Sequence, residues 1–193
     1  SDIYMAIHPT NDTMSVGTEG ALTLIHEIGH GLGLKHPHEE ADGLGEISVL
    51  PIDEDSVANT VMSYEESTVE NFKFEFSHLD IAALHYIYGP NPNARASDDT
   101  YEISSTHTNF IWDGAGVDTI DASKLETGVT LHLSPGHHDF VGESAASIVS
   151  APGQITINFG TTIENIIGSA FNDALFGNIQ DNVITGNGGS DKI

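Results

Sequence analysis

Residues 168–193 consist of three successive units on a nine-residue period, GSAFNDALF, GNIQDNVIT and GNGGSDKI. Each unit has an initial glycine, a central Asp or Asn, and then a large aliphatic residue; these are Asp173 with Leu175, Asn182 with Ile184, and Asp191 with Ile193. We interpret each unit as a turn that holds a cation with carbonyl and carboxylate oxygens, followed by a short strand whose aliphatic side chain points inward. For any single unit, the alternative is an ordinary turn.

A boundary between two regions is predicted at residues 89–93 (GPNPN), where two prolines and two asparagines interrupt all periodicity. Before it, Thr18 as an N-cap predicts a helix to about Leu32. The sequence SHLD at 77–80 is similar to a capping box and predicts a second helix over 79–88. After the boundary, runs of β-favouring residues between turns predict an all-β region; the runs are 110–112, 129–133, 155–159 and 163–167.

The composition excludes several classes of function. Five Lys and Arg residues against 29 Asp and Glu residues give a net charge of −24, and such a surface repels a phosphate backbone, so we expect no nucleic-acid partner. No apolar run approaches the roughly 20 residues of a membrane-spanning helix, so we expect no membrane partner. The absence of Cys excludes disulfides, zinc–thiolate sites and thiol catalysis.

The sequence HEIGHGLGLKH, which starts at His26, carries the most specific chemical signal. His26 and His30 are at i and i+4, so a helix presents both imidazoles on one face, where they can bind one metal ion. Gly33 allows the positive φ that turns the chain and returns His36 as a third nitrogen ligand. Three imidazoles suit Zn²⁺ and leave a fourth position for water, within reach of Glu27. The alternative for the HExxH pattern alone is a solvated helix face.

The chain resembles the metzincins, whose signature is His-Glu-x-x-His-x-x-Gly-x-x-His, and within them the serralysins, bacterial secreted zinc proteases. The segment VMSY at 61–64 is similar to the serralysin Met-turn; further similar segments are DIAAL (80–84), YGPN (88–91), WDGAGVDT (112–119) and EN (164–165). The terminal units are similar to RTX-type nonapeptides. The resemblance implies a zincin-like α+β catalytic portion at residues 1–90, followed by an RTX-type, calcium-binding, all-β parallel β-roll at 91–193.

The resemblance also implies roles for individual residues. The zinc ligands would be three histidines and a tyrosine, namely His26, His30, His36 and Tyr64. Glu27 would be the general base, and Met62 would form an apolar floor beneath the metal. Tyr64 would leave the metal during turnover and stabilise the oxyanion. Without the resemblance, Met62 is interpreted as a core residue and Tyr64 as a half-buried aromatic.

Two calcium sites are implied by the resemblance around the Gly-rich turn at 113–118. The implied side-chain and backbone ligands of these sites are Arg95, Ser97, Asp99, Asp113, Ala115, Gly116, Asp118, Thr162 and Glu164. In the terminal units, Asp173 and Asp191 are the better side-chain ligands. Phe171 and Gln180 replace glycines that the repeat prefers, so we expect incomplete sites in those turns. The alternative for all these carboxylates is a solvated turn.

The implied function is hydrolysis of peptide bonds in protein or peptide substrates by a secreted zinc endopeptidase that calcium stabilises. Serralysins are exported by a type I system, and the same route is implied here. An alternative from another class is a non-catalytic, calcium-binding RTX adhesin or interaction module that carries an idle protease remnant.

Serralysins have several strands before the zinc helix, whereas 25 residues precede His26 in this sequence. We therefore expect a catalytic portion that is truncated at its N-terminus, with residues 2–7 as a candidate strand, and a roll that is truncated at its C-terminus. Expected protein partners are the missing N-terminal part of the catalytic domain and a proteinaceous inhibitor.

Overall fold

The structure is a computed structural model, and it describes Ser15 and residues 17–38, 50–65 and 75–193. The chain divides into two compact units, residues 1–84 and 85–193. None of the helices in the described ranges is long and apolar enough to span a membrane. The candidate strand at 2–7 lies outside the described residues. The assignment of residues 1–90 and 91–193 to a catalytic portion and a roll stays a prediction.

Helix α1 (Glu19–Gly31) begins where the sequence predicts. The backbone of Thr18 is extended, and its Oγ1 accepts a hydrogen bond from the Ala21 amide at 3.3 Å, which is the geometry of an N-cap. After the helix, Gly33 has a φ of +96° and its amide donates to the His30 carbonyl at 3.0 Å. The predicted N-cap and the predicted turn are therefore confirmed.

Helix α2 (His78–Tyr88) starts one residue before the predicted position. The Ser77 amide donates to Asp80 Oδ2 at 2.9 Å, which is the backward hydrogen bond of a capping box. In the first unit, a small apolar core consists of Ile25, Leu34, Val61 and Met62, with Leu22, Phe76, Ala83 and Leu84 packed against it. This core joins the face of α1 to the segment around Met62.

The region after helix α2 forms nine short strands between residues 100 and 185 and no helix, so the region after the predicted boundary is all-β as predicted. The strands are β1 (Thr100–Glu102), β2 (Asn109–Ile111), β3 (Thr119–Asp121), β4 (Val129–His132), β5 (Asp139–Val141), β6 (Gln154–Ile157), β7 (Asn165–Ile167), β8 (Ala174–Phe176) and β9 (Val183–Thr185). They form one sheet of order β1-β3-β7-β9 and another of order β2-β6-β5-β4-β8. All neighbours in the first sheet pair in parallel.

The second unit has a core to which strands of both sheets contribute, including Ile120, Ile166, Leu131 and Leu175. The inward orientation predicted for Leu175 is confirmed, and Ile184 packs against this core in part. The same prediction is wrong for Ile193, which is 71% exposed. The last unit pairs through a single bridge, Ala174↔Lys192, so the side chain of Ile193 is not covered.

The expectation of parallel pairing throughout this region is wrong for β5. This strand pairs antiparallel with both β4 and β6. Only residues 133–138 connect β4 to β5, and a connection of this length joins antiparallel neighbours, whereas a parallel pair needs a longer crossover. Gly136, with a φ of +85°, lies in this turn.

Candidate metal centres

Helix α1 and the turn that follows it bring three imidazoles together. Nδ1 of His26 donates to the Val61 carbonyl at 2.8 Å, and Nδ1 of His30 donates to the Leu34 carbonyl at 3.0 Å. A carbonyl can only accept, so both rings carry their proton on Nδ1 and, when neutral, expose the lone pair of Nε2. Backbone partners of this kind fix the orientation of histidines that bind metals.

The Nε2 atoms of the three histidines converge on one point. His36 Nε2 lies 3.1 Å from His26 Nε2 and 3.1 Å from His30 Nε2. Burial lowers the pKa of His26, and the neighbouring imidazoles of His30 and His36 add to this effect, which favours the neutral ring that a metal needs. The donor set, three imidazole nitrogens within 4.8 Å of one another, suits Zn²⁺.

Tyr64 and Glu27 lie at the same centre. The Tyr64 hydroxyl oxygen is 2.7 Å from His36 Nε2, although the Tyr64 side chain is 64% exposed. Glu27 follows His26 on α1 and is half-buried. Glu27, His26 and Tyr64 line one open cleft of about 280 Å³. The structure therefore brings together all the residues that the sequence analysis assigned to zinc and to general-base catalysis.

Met62 is 1% exposed and packs against α1. A Cβ placed on Gly29 would lie 2.5 Å from Met62 Sδ, so glycine at position 29 allows the close approach of the helix to this side chain. Gly29 lies three residues after His26, so the two positions are neighbours on the helix surface and Met62 packs beside the side of α1 that carries His26.

A buried carboxylate that the sequence analysis did not assign to the site holds the segment before Met62. Asp80 is 2% exposed and accepts hydrogen bonds from Thr60 Oγ1 at 2.6 Å and from the Val61 amide at 2.8 Å. Burial raises the pKa of Asp80, while these bonds and the one from Ser77 oppose the effect. The carbonyl of the same Val61 accepts from His26, so Asp80 and His26 are connected through one residue.

Three carboxylates form a second candidate centre in the second unit. Ligand oxygens of Asp99, Asp113 and Asp118 lie within 4.8 Å of one another. Gly116 allows the backbone to approach this cluster closely, since a Cβ there would lie 2.8 Å from Asp118 Oδ1 and 2.4 Å from the Ser97 carbonyl oxygen. Asp99 contributes its carboxylate to this cluster, while its carbonyl accepts from the Thr119 amide at 2.9 Å.

Asp118 is a buried carboxylate of the cluster with one oxygen that no hydrogen bond from the described part of the chain satisfies. It is fully buried; Oδ1 accepts from the Asp99 amide at 2.8 Å, and Oδ2 has no hydrogen-bond partner among the described residues. Burial raises the pKa of Asp118 to about 6, and the charges of Asp113 and Glu164 contribute. A buried carboxylate oxygen without a partner, beside two further carboxylates, fits a hard cation with oxygen ligands.

Some of the other predicted calcium ligands border the carboxylate cluster, and one of them is exposed to solvent. Glu164 Oε2 accepts from the Asp118 amide at 2.7 Å, and the Arg95 carbonyl accepts from Ala115 at 3.4 Å, so these residues border the cluster. Thr162 is exposed.

The terminal units contain no third carboxylate that joins Asp173 and Asp191 in a cluster, within the part of the chain that the structure describes. Asp173 accepts from the amides of Val129 and Ser169, and its own amide donates to Asp191 Oδ1 at 3.0 Å. Backbone amides thus donate to both carboxylate oxygens of Asp173.

Comparison with known proteins gives the family. A family model described as "Peptidase M10 serralysin C terminal" matches residues 77–191. Serralysin from Proteus mirabilis is 36% identical over a region that covers 90% of this chain and 38% of the relative. Metallopeptidase AprA from Pseudomonas marginalis is 34% identical over a region that covers 90% of this chain and 40% of that protein. The chain therefore belongs to the serralysin family, and it spans about two fifths of the length of these relatives.

Proposed function

We propose that this chain carries the zinc-dependent site of a secreted endopeptidase, stabilised by calcium bound in a C-terminal β-roll. The observation that carries the proposal is the convergence of three Nε2 atoms beside Glu27, with two of the imidazoles oriented by backbone carbonyls. Membership of a peptidase family and relatives named metallopeptidase and serralysin support the same activity.

In this proposal, His26, His30 and His36 hold zinc, with Tyr64 as a fourth ligand at rest. Zinc would supply Lewis-acid polarisation of the scissile carbonyl and would lower the pKa of a water molecule.

Glu27 accepts the proton of the attacking water and later donates it to the leaving amine. Two observations support this role: Glu27 directly follows His26 on α1, and both residues line one cleft with Tyr64. The Tyr64 hydroxyl moves away from His36 and donates a hydrogen bond to the oxyanion. The 64% exposure of Tyr64 supports such a movement, because little packing opposes it.

Calcium at the cluster of Asp99, Asp113 and Asp118 neutralises carboxylates that otherwise repel one another. The parallel pairing of β1, β3, β7 and β9 and the nine-residue spacing of the terminal units support the β-roll. Binding of calcium to the folded state alone stabilises this unit by mass action.

The proposed substrates are proteins and peptides, and the proposed partners are the remainder of the catalytic domain and a proteinaceous inhibitor. The relatives extend well beyond the aligned region, which supports a substrate cleft completed by further chain. Secretion by a type I route is part of the same proposal and follows from the family resemblance.

The test compares casein hydrolysis by this chain, by a longer form with the length of the relatives, and by their Glu27→Gln variants. We expect Glu27→Gln to keep one zinc per chain and to lose activity by about 10²-fold or more, because the general base is removed without a ligand. Glu126→Gln, an exposed change in the second unit, is the matched control and should leave both quantities unchanged.

Activity of the longer form alone would indicate that the site needs further chain, and the endopeptidase assignment would stand. Full activity of Glu27→Gln in both forms would contradict the proposed mechanism. Zinc binding without hydrolysis in either form would favour the non-catalytic interaction module.

A further inference from the structure

The described segment 50–57 lies alongside both parts of the chain that bring ligands to the zinc site. At one end, the Leu50 amide donates to the carbonyl of Pro37, the residue after His36, at 3.1 Å. At the other end, the Val57 amide donates to the carbonyl of Glu65, the residue after Tyr64, at 3.1 Å. The segment therefore connects two parts of the site that are 28 residues apart in sequence.

Asp55 lies between these two contacts and uses its two carboxylate oxygens in two directions. Oδ1 accepts from Ser63 Oγ at 2.5 Å, and Oδ2 lies 3.5 Å from His38 Nδ1. Ser63 Oγ in turn accepts from the Glu65 amide at 3.0 Å, so the residues on both sides of Tyr64 are held. Asp55 is 9% exposed, and a carboxylate so buried is stable only with such partners.

The aromatic rings of His36, His38 and Tyr64 pack against one another. His38 stacks on His36 with ring centroids 5.6 Å apart and an interplanar angle of 7°, and its centroid is 5.7 Å from that of Tyr64. The Tyr64 and His36 centroids are 4.6 Å apart. Because Tyr64 is largely exposed, burial contributes little to its placement, and the anchors on either side of it decide where its hydroxyl lies.

We infer that Asp55 is a positioning residue of the zinc site, which acts through Ser63 and His38 to keep the Tyr64 hydroxyl beside His36 Nε2. The role of Tyr64 itself rests on the proposed function. The arrangement of the rings is a property of the metal-free chain and can be tested without zinc.

The first experiment is NMR of the metal-free protein. The wild type and the control Asp53→Ala, an exposed change in the same segment, should show cross-relaxation between the Tyr64 and His36 rings. In Asp55→Ala this cross-peak should be lost, and the Glu65 amide should exchange at least about fivefold faster, since Ser63 is no longer held. Asp55→Asn keeps an acceptor for Ser63 and should restore the cross-peak.

Ser63→Ala removes the hydroxyl that links Asp55 to the Glu65 amide, so it repeats the test if Asp55→Ala does not fold. It should give the same loss of the cross-peak. A full-strength cross-peak in folded Asp55→Ala or Ser63→Ala, or no rescue by Asp55→Asn, would overturn the inference.

The second experiment uses Cu²⁺ as a spectroscopic probe at the same site. The wild type and Asp53→Ala should show phenolate-to-copper charge-transfer absorption that Tyr64→Phe lacks. Asp55→Ala should bind one Cu²⁺ with at least about fivefold weaker absorption, because fewer molecules have Tyr64 in place. Unchanged absorption in Asp55→Ala would overturn the inference, whereas a wild type that binds no metal would overturn the proposed function and leave the NMR result to decide the role of Asp55.

Discussion

The close approach of helix α1 to Met62 can be tested by two glycine-to-alanine changes in one helix. Gly29→Ala would place Cβ 2.5 Å from Met62 Sδ and 3.5 Å from Leu34 Cδ1, in a core where Met62 is 1% exposed. Overpacking of this kind costs about 1–3 kcal/mol. Gly31→Ala, two residues later in the same helix, meets no atom within 4 Å.

Alanine is favoured over glycine in a helix interior by up to about 1 kcal/mol. This gain is smaller at Gly31, the last residue of α1, so the difference between the two variants is a lower bound on the cost of the contact with Met62. We expect Gly29→Ala to be less stable than Gly31→Ala by about 1–3 kcal/mol. Hydrogen exchange of the α1 amides is the assay, because the chain has two units and one global unfolding free energy is not well defined.

The expected difference corresponds to roughly five- to 150-fold faster exchange in Gly29→Ala. Equal protection of α1 in the two variants would refute the packing of Met62 against Gly29, and with it the role proposed for Met62 as an apolar floor beneath the metal.

Three further predictions concern the buried Asp80 and Asp118 and the half-buried His85. Asp80→Ala leaves three donors without their acceptor and should destabilise the first unit by roughly 3 kcal/mol, measured by amide exchange. Asp80→Asn should destabilise it less, and equal effects of the two variants would contradict this account. Asp118→Asn should weaken calcium binding at least about tenfold by calorimetry, with the exposed Asp181→Asn as the control, and equal affinities would exclude Asp118 as a ligand. Burial lowers the pKa of His85, so the stability that its neutral form contributes is present above the ordinary value of 6.5 and is lost as pH falls through the lower folded-state pKa. The amide protection of the second unit, corrected for the intrinsic pH dependence of exchange, should therefore vary less with pH in His85→Asn than in the wild type over that range. The same pH dependence of protection in both proteins would contradict the assignment.

The parts of the molecule that local sequence determines were predictable. The i, i+4 spacing of His26 and His30 and the glycine at 33 depend on neighbours in the chain, and the structure has the helix and the turn that they predict. The capping role of Asp80 was predictable for the same reason, since Ser77 is three residues away.

Contacts between distant parts of the chain were not predictable in this way. The bonds from Thr60 and Val61 to Asp80 span about 20 residues, and no sequence pattern marks them. The carboxylate of Asp99 joins Asp113 and Asp118 only because strands β1 and β3 pair, which a single sequence does not specify. The antiparallel β5 was missed because the nine-residue period of the terminal units does not extend to residues 139–141.

The most direct test of the central claim is X-ray absorption at the zinc edge on the chain loaded with one equivalent of Zn²⁺. The convergence of three Nε2 atoms predicts three imidazole nitrogens at about 2.0–2.1 Å from one zinc, with a further oxygen ligand. His30→Ala should remove one imidazole from the zinc shell and weaken binding. A zinc ion without multiple imidazole ligands, or a spectrum that His30→Ala leaves unchanged, would contradict the account.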